Sequence, residues 1–405
     1  MSENTFCPLL WNHLNTHPDG SVSFCCISKY AKSKNRPTDV DSEGNIIKIY
    51  NLNNDNIHDI LNSNSYKQAR LQMLNGEKPE ACSRCYDEES AGVGSRRIYK
   101  KDKVFPDFSV EDARKITNPD GSLDRIPLEF VELRLGNTCN LQCRTCDSSS
   151  SSKWRNDYKR IGNDLPFKLH NNIQADSSVY DWIDNDDFWN DLLQYNSVWR
   201  FSINGGEPTL IKKHFKFLEK LLERQKTDLT LRYNINMTNL NDDIIELWRK
   251  FKDVNISCSI DDIGSRNTYI RWPTEWETVI KNLDRLISED LFKIEIIQTV
   301  SFMSYCNVVE FHKFFSEKYP SIPITHNFVE KPYYMSPSVL PKEMREYANK
   351  NIENYFGDYS YKFLNIYGHD DIPGLWEKTK EVTKRMDSLF GVRIDDYLKE
   401  FNGYV

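Results

Sequence analysis

Ten cysteines are the residues most able to do chemistry here. They fall as Cys7, Cys25, Cys26, Cys82 and Cys85, then Cys139, Cys143 and Cys146, then the isolated Cys258 and Cys306. Where the surroundings are reducing, thiols in such groups serve metals and iron–sulfur clusters more often than structural disulfides. The run Cys139-Asn-Leu-Gln-Cys143-Arg-Thr-Cys146 holds three thiolates at spacings that can ligate three irons of a [4Fe–4S] cube and leave the fourth iron open. A zinc site is the competing reading, but zinc usually takes four closed ligands. Gly205-Gly206-Glu207-Pro208 is the second candidate, because paired glycines let a backbone come close to a ligand and Glu207 offers an acceptor to an ammonium. Cys258 and Cys306 read as buried packing residues. The eight histidines show no HxH or HExxH spacing, so no mononuclear metal site is argued from them.

The elements that must hold these residues come from periodicity. From about residue 128 short β-like runs alternate with helical ones, the pattern that builds parallel sheets. The β-rich runs are 128–135, 197–203, 229–235, 254–260, 293–300 and 324–329. Between them lie helical stripes: Ile211, Phe215, Leu218 and Leu222; then Ile244, Ile245, Trp248 and Phe251; then a helix opened by Pro273 and running through Leu283 and Leu286; then one around 311–315. Six βα units predict an α/β fold, an incomplete (β/α)6 barrel of the TIM type, with its chemistry on the loops after the strands. The cysteine triplet follows the first run and Gly205–Pro208 follows the second.

Three segments result: a cysteine-rich domain over 1–115, the partial barrel over 125–330 and a helical extension over 331–405, with helices expected at 342–356 and 373–390. The first has turn signals at Pro18-Asp-Gly20 and Asn75-Gly76 and little periodicity, as in small domains held by a metal or cluster. A stretch rich in Asp, Asn and Ser, about 162–187, reads as an insertion or lid. Arg96, Arg97, Lys100, Lys101 and Lys103 read as a solvated helix face, with contact to an anionic substrate as the alternative. The 405 residues carry a formal net charge of −7, so a general nucleic-acid binder is not expected. No stretch of 18 apolar residues occurs and the first ten residues lack a signal-peptide pattern, so the expected location is the cytoplasm, away from any membrane.

With its triplet after the first strand and Gly-Gly-Glu-Pro after the second, the chain resembles the radical S-adenosylmethionine (SAM) superfamily over about residues 128–330. The resemblance implies that Cys139, Cys143 and Cys146 hold the SAM-binding [4Fe–4S] cluster and that Gly205, Gly206, Glu207 and Pro208 receive the SAM amino group. Further along, 235–239 looks like the family's "TNGT" stretch, with Asn236 in the Asn place and Met237 where Gly is usual. Ser259 and Asp261 resemble the "SxD" that touches the SAM ribose, and Arg271 sits where an Arg often meets the SAM carboxylate. Polar residues at strand ends also cap helices and satisfy loop backbone. Thr145 stands where an aromatic residue usually packs near adenine.

Cys7, Gly20 and Cys25 are similar to the opening of SPASM and twitch auxiliary-cluster domains, and Cys82-Ser-Arg-Cys85 supplies the next pair. By that resemblance Cys7, Cys25, Cys82 and Cys85 hold one auxiliary [4Fe–4S] cluster, which is the twitch pattern, although such domains more usually follow the barrel. Cys26 rivals Cys25, and a zinc knuckle rivals the cluster.

The family's chemistry implies reductive cleavage of SAM to methionine and a 5′-deoxyadenosyl radical, which takes hydrogen from a substrate. An auxiliary cluster favours oxidation, cross-linking or epimerisation over methylation. The expected substrate is a peptide or protein side chain, with a nucleotide or sugar small molecule as the alternative, and the expected electron donor is a flavodoxin or ferredoxin. A non-catalytic iron–sulfur electron-transfer or scaffold protein is the reading from another class; it would need no SAM pocket.

Overall fold

Alternation of apolar and polar residues puts two faces on each strand, and the apolar face must be covered. In the computed structural model, which describes residues 5–29, 36–92, 94–165, 167, 169, 178–357 and 374–405, all six predicted β-rich runs are strands. They are β5 (Phe130–Arg134), β6 (Arg200–Asn204), β7 (Thr230–Ile235), β8 (Asp253–Ser259), β9 (Lys293–Val300) and β10 (Ile324–Phe328), preceded by β1 (His13–Thr16), β2 (Val22–Ser23), β3 (Thr38–Val40) and β4 (Ile46–Ile49). β5 to β10 lie side by side in chain order and pair in parallel.

Val131, Leu133, Phe201, Ile203, Leu231, Tyr233, Ile256, Cys258 and Ile296 lie in one apolar core with the helices that succeed the strands. The opposite phase, Glu132, Arg134, Arg200, Ser202, Asn204, Arg232, Asn255, Ser257 and Glu295, gives the other face of the sheet a polar, charged lining. Helix Lys212–Glu223 buries His214, Phe217, Leu218 and Leu221, with Phe215 and Leu222 of the expected stripe at its margin. Asn241 caps helix Asp242–Trp248 by accepting from the Ile244 amide. Pro273 does not open the next helix: it stands in a turn after helix Gly264–Ile270, closed by Thr274 N–H to Arg271 O at 2.9 Å, and the helix begins at Trp276.

The sheet has eight strands, because two come from the N-terminal segment. β1 pairs in parallel with β5, setting Asn15 beside Glu132, and β2 pairs antiparallel with β1. β3 and β4 form a separate hairpin. C-terminal helices Lys342–Phe356 and Leu375–Phe390 build a second core, in which Ile352, Val382 and Met386 pack with Trp154, Tyr269, Phe302 and Tyr305 from the loops and short helices after the strands. Part of the 162–187 insertion lies outside the described residues; its later portion leads into helix Asp186–Leu192, which buries Phe188, Trp189 and Leu192. Among the described residues no helix is long and apolar enough to cross a membrane.

Candidate functional site

The loop after β5 carries Cys139, Cys143 and Cys146 and is fixed by its own backbone. Gln142 N–H donates to Trp272 O at 2.6 Å, Arg144 N–H to Ile270 O at 2.8 Å, and Cys146 N–H to Cys143 O at 3.0 Å. Trp154 Nε1 donates to Cys143 O at 3.0 Å. Burial pushes the Cys143 thiol up to about 12, opposed by the Arg271 guanidinium and reinforced by Cys139. Burial also raises Cys146 and Cys139, and Cys146 feels both of the other thiols. Three thiols this close and this desolvated cannot ionise together without an added positive charge. Among the described residues, no three His, Cys, Asp or Glu side chains are gathered as ligands of a single metal ion would be.

Gly205–Pro208 packs directly on that loop. The Glu207 amide donates to Thr138 O at 2.7 Å. A Cβ at Gly206, where φ is +47°, would stand 2.1 Å from Thr138 O, and one at Gly205 would stand 2.6 Å from Leu135 N. The close approach that needs glycine is therefore first to the chain's own cysteine loop. Glu207 is buried and its carboxylate accepts from Thr209 N at 3.1 Å, Thr209 Oγ1 at 2.6 Å and Asn236 N at 2.7 Å. Burial raises its pKa, and these donors and Arg271 oppose the shift.

Asn236 extends the same network: its Nδ2 donates to Asn140 Oδ1 at 2.8 Å and its Oδ1 accepts from Thr238 Oγ1 at 2.6 Å. Asn140 lies inside the cysteine triplet, so the loops after β5, β6 and β7 are joined. Met237, in the place where glycine is usual, takes the positive φ of 65° that such a place requires. Ser259 ends β8 half-buried. Asp261 is fully buried and holds Arg271 Nη1 at 3.0 Å with one oxygen and accepts from Thr299 N at 2.8 Å with the other. Burial alone would lower the Arg271 pKa, but Cys143 and Asp261 hold it up. Among the described residues, Arg271 Nε is buried with no hydrogen-bond partner. A thiol triplet beside an unanswered guanidinium N–H fits a cluster together with a ligand that brings its own acceptor.

The N-terminal cysteines also converge. Cys82 feels the charges of Cys7, Cys25 and Cys85, and Cys7 that of Cys85. Burial lifts Cys7 to about 11 and Cys25 to about 12, and raises Cys82 and Cys85. Cys26 has different company: after burial, its charged neighbours are Glu132, Arg96, Arg134 and Lys100. Cys25 senses Cys26 and Arg96 as well as Cys7, so the adjacent thiols share part of their surroundings, but Cys7 stands among the charged neighbours of Cys25 and not of Cys26, a distinction that spacing alone does not make.

Several contacts were hidden from sequence reasoning. Of the expected solvated face, Arg97 and Lys100 are buried, each 4% exposed, Arg96 and Lys101 are half-buried and Lys103 is exposed. Arg97 pairs with Glu89, and Arg96 Nη2 binds both Glu132 oxygens at 2.8 and 2.7 Å. His13 Nε2 meets the same carboxylate at 3.0 Å. The only hint in the sequence is an acid, Glu132, flanked by Val131 and Leu133 in the middle of a strand. Tyr233 and Tyr305 are packing residues, and Cys258 is fully buried among the strands' apolar side chains.

Two family models match the chain: "Iron-sulfur cluster-binding domain", SPASM, over residues 7–86, and "Radical SAM superfamily" over residues 133–303. The first spans all five N-terminal cysteines and the second spans the triplet, Gly205–Pro208, Asn236, Ser259, Asp261 and Arg271. No protein of curated function matches. Similar solved structures include native anSMEcpe with bound AdoMet, 17% identical at a TM-score of 0.37 over 65% of this chain and 67% of that one. Streptococcus suis SuiB bound to S-adenosylmethionine is 17% identical at 0.35 over 71% of this chain and 62% of that one. TYW1 with a lysine-pyruvate adduct is 14% identical at 0.31 over 58% of this chain and 73% of that one. The chain therefore spans about two thirds of the length of these proteins. Residues 133–303 are therefore a radical SAM superfamily domain and residues 7–86 a SPASM iron–sulfur domain, which mark the chain as an enzyme and imply a [4Fe–4S] cluster with SAM and auxiliary iron–sulfur chemistry.

Proposed function

We propose that this enzyme abstracts hydrogen from a peptide or protein side chain, with the N-terminal cluster aiding an oxidation or cross-link. The observation that carries the site assignment is the meeting of Cys139, Cys143 and Cys146 with the buried, unanswered Nε of Arg271. Cys139, Cys143 and Cys146 would hold the SAM-binding cluster; Cys7, Cys25, Cys82 and Cys85 would hold the auxiliary one. When bound, the first cluster supplies the electron that splits SAM into methionine and a 5′-deoxyadenosyl radical.

The chain's own residues then have positioning tasks. Asp261 aims Arg271 at the SAM carboxylate. Glu207 is occupied by Thr209 and Asn236 and stiffens the Gly205–Pro208 loop, whose backbone carbonyls receive the SAM amino group. Ser259, at the end of β8, is placed for the ribose. The sheet's polar face excludes bulk water from the radical once substrate covers it. A flavodoxin or ferredoxin supplies the electrons.

The test is anaerobic reconstitution with iron and sulfide, followed by dithionite and SAM, comparing wild type with the variant carrying Ala at Cys139, Cys143 and Cys146. Formation of 5′-deoxyadenosine by the wild type alone supports the assignment. Equal formation by the triple variant overturns it. Peptide libraries against nucleotide and sugar pools, read by mass changes, decide the substrate class; turnover of only the latter would overturn the peptide reading.

A further inference from the structure

We propose that two fully buried carboxamides, Asn267 and Gln298, are positioning residues for SAM: they hold the main chain of Asp261 so that its carboxylate presents Arg271 to the SAM carboxylate. The inference deepens the reading above and rests on its assignment of Arg271.

β8 ends at Ser259, so the main chain at Asp261 is held by other means, and side chains take both of its polar groups. Asp261 N–H donates to Asn267 Oδ1 at 3.1 Å, and Asp261 O accepts from Gln298 Nε2 at 3.0 Å. With its backbone so fixed, the carboxylate accepts from Thr299 N at 2.8 Å and holds Arg271 Nη1 at 3.0 Å.

Asn267 closes a ring around this ion pair. It stands on helix Gly264–Ile270, and its own carbonyl accepts from Arg271 N at 2.8 Å. Its Nδ2 donates to Thr274 Oγ1 at 3.4 Å, while Thr274 N–H donates to Arg271 O at 2.9 Å. One asparagine therefore bonds the main chain of both partners, Asp261 through its side chain and Arg271 through its backbone.

Gln298 is marked by its row. On β9 it shares a phase with Ile296 and Val300, both fully buried and apolar. A carboxamide in such a row is costly unless both its ends are bonded. Nε2 is spent on Asp261, and Oε1 meets His326 Nδ1 at 2.7 Å, which makes that ring nitrogen the donor. Packing alone would be served by an apolar side chain; the amide adds direction. The guanidinium held at the end of this chain of bonds keeps a buried Nε without a hydrogen-bond partner among the described residues, and a ligand carboxylate would answer it. Hydrogen bonds weaken steeply with misalignment, so a displaced Asp261 reaches SAM through Arg271.

The test is equilibrium dialysis of the anaerobically reconstituted holoprotein without reductant, with two probes: SAM and its decarboxylated analogue, which lacks the group that Arg271 would meet. Gln298→Met and Asn267→Ala are expected to bind SAM about tenfold more weakly or worse, and to bind the analogue as wild type does, with iron content unchanged. In an Arg271→Met background neither change is expected to cost further SAM affinity, because the effect runs through the guanidinium. Thr274→Val removes only the hydroxyl that receives Asn267 Nδ2; it is expected to show the same selective loss in milder form, and it carries the test if the other variants do not fold. SAM binding at wild-type strength in these variants, or equal loss of SAM and analogue, would overturn the proposal and leave the two amides purely structural, with the Arg271 assignment intact. Full SAM affinity in Arg271→Met alone would instead remove the carboxylate assignment, and the proposal with it.

Discussion

The Arg144 guanidinium meets the Asp387 carboxylate at 2.7 Å and so ties the cysteine loop to the C-terminal helix Leu375–Phe390. Arg144 also lies 3.7 Å over the Tyr269 ring, whose hydroxyl donates to Asp387 at 2.8 Å. The second oxygen of Asp387 accepts from Ile394 N at 2.7 Å. Because Arg144 directly follows Cys143, the C-terminal extension holds the cysteine loop in place.

Replacing Asp387 with Ala leaves Arg144 buried and uncompensated. The expected loss is about 3–5 kcal/mol of stability, read from denaturant midpoints, with reduced iron at the triplet. Asp387→Asn, which keeps an acceptor for Arg144, is expected to lose less. Equal midpoints for Asp387→Ala and wild type would refute the tie.

Gly206→Ala forces a Cβ toward Thr138 O in a left-handed backbone. The backbone strain alone is about 1–3 kcal/mol, and the loop must retreat from the cysteine segment. SAM binding by equilibrium dialysis should fall sharply while iron content stays near wild type; SAM binding at full strength would show that the loop is not the amino-group site.

Cys25 and Cys26 should behave oppositely. Cys25 shares its surroundings with Cys7 and Cys82, so Cys25→Ala is expected to lose the auxiliary cluster, about four irons. Cys26 faces Arg96 and Glu132, so Cys26→Ala should keep it. Iron analysis of both variants in the background lacking Cys139, Cys143 and Cys146 decides the matter, and loss of iron in Cys26→Ala alone would reverse the assignment. Bound zinc in place of iron would replace the cluster altogether.

His214 gives a pH signature. It is fully buried, has no ionic partner among the described residues, and meets Ile211 O through Nδ1 at 2.6 Å; burial holds its pKa down to about 3. The unfolded chain, with an ordinary histidine near 6.5, binds the proton first. Stability from this group is therefore complete above pH 6.5 and is lost as pH falls toward 3, at up to about 1.4 kcal/mol per pH unit. His214→Leu should flatten the fall between about pH 7 and 5 in denaturant titrations; an unchanged slope would exclude His214 as a contributor.

The strands of the barrel were legible because each buries one apolar phase against helices, and Val254, Ile256 and Cys258 show that phase plainly. β1 was not, since His13-Leu-Asn-Thr16 has one apolar residue and gains its stability from a partner more than a hundred positions away. The cation stretch at 96–103 misled for the same reason: Glu132 and Phe130, which Arg96 and Lys100 meet, come from a remote strand. Spacing found the triplet and Gly205–Pro208, because loops after strands are local in sequence. It missed Asp387, which reaches Arg144 across 243 positions, and it assigned Glu207 to a ligand before Thr209 and Asn236 were known to engage it.

The parallel seam between β1 and β5 makes the N-terminal iron–sulfur unit inseparable from the barrel. Residues 13–15 find their mates only when residues 130–132 have left the ribosome, so the amino-terminal portion of the chain must wait, incompletely paired, for the rest to be synthesised. Cutting it away would be equally consequential. It would expose the flank of β5 as a raw edge open to intermolecular pairing, and strip Glu132 of both His13 and Arg96. A truncated protein would therefore report on a damaged barrel rather than on the absence of a cluster.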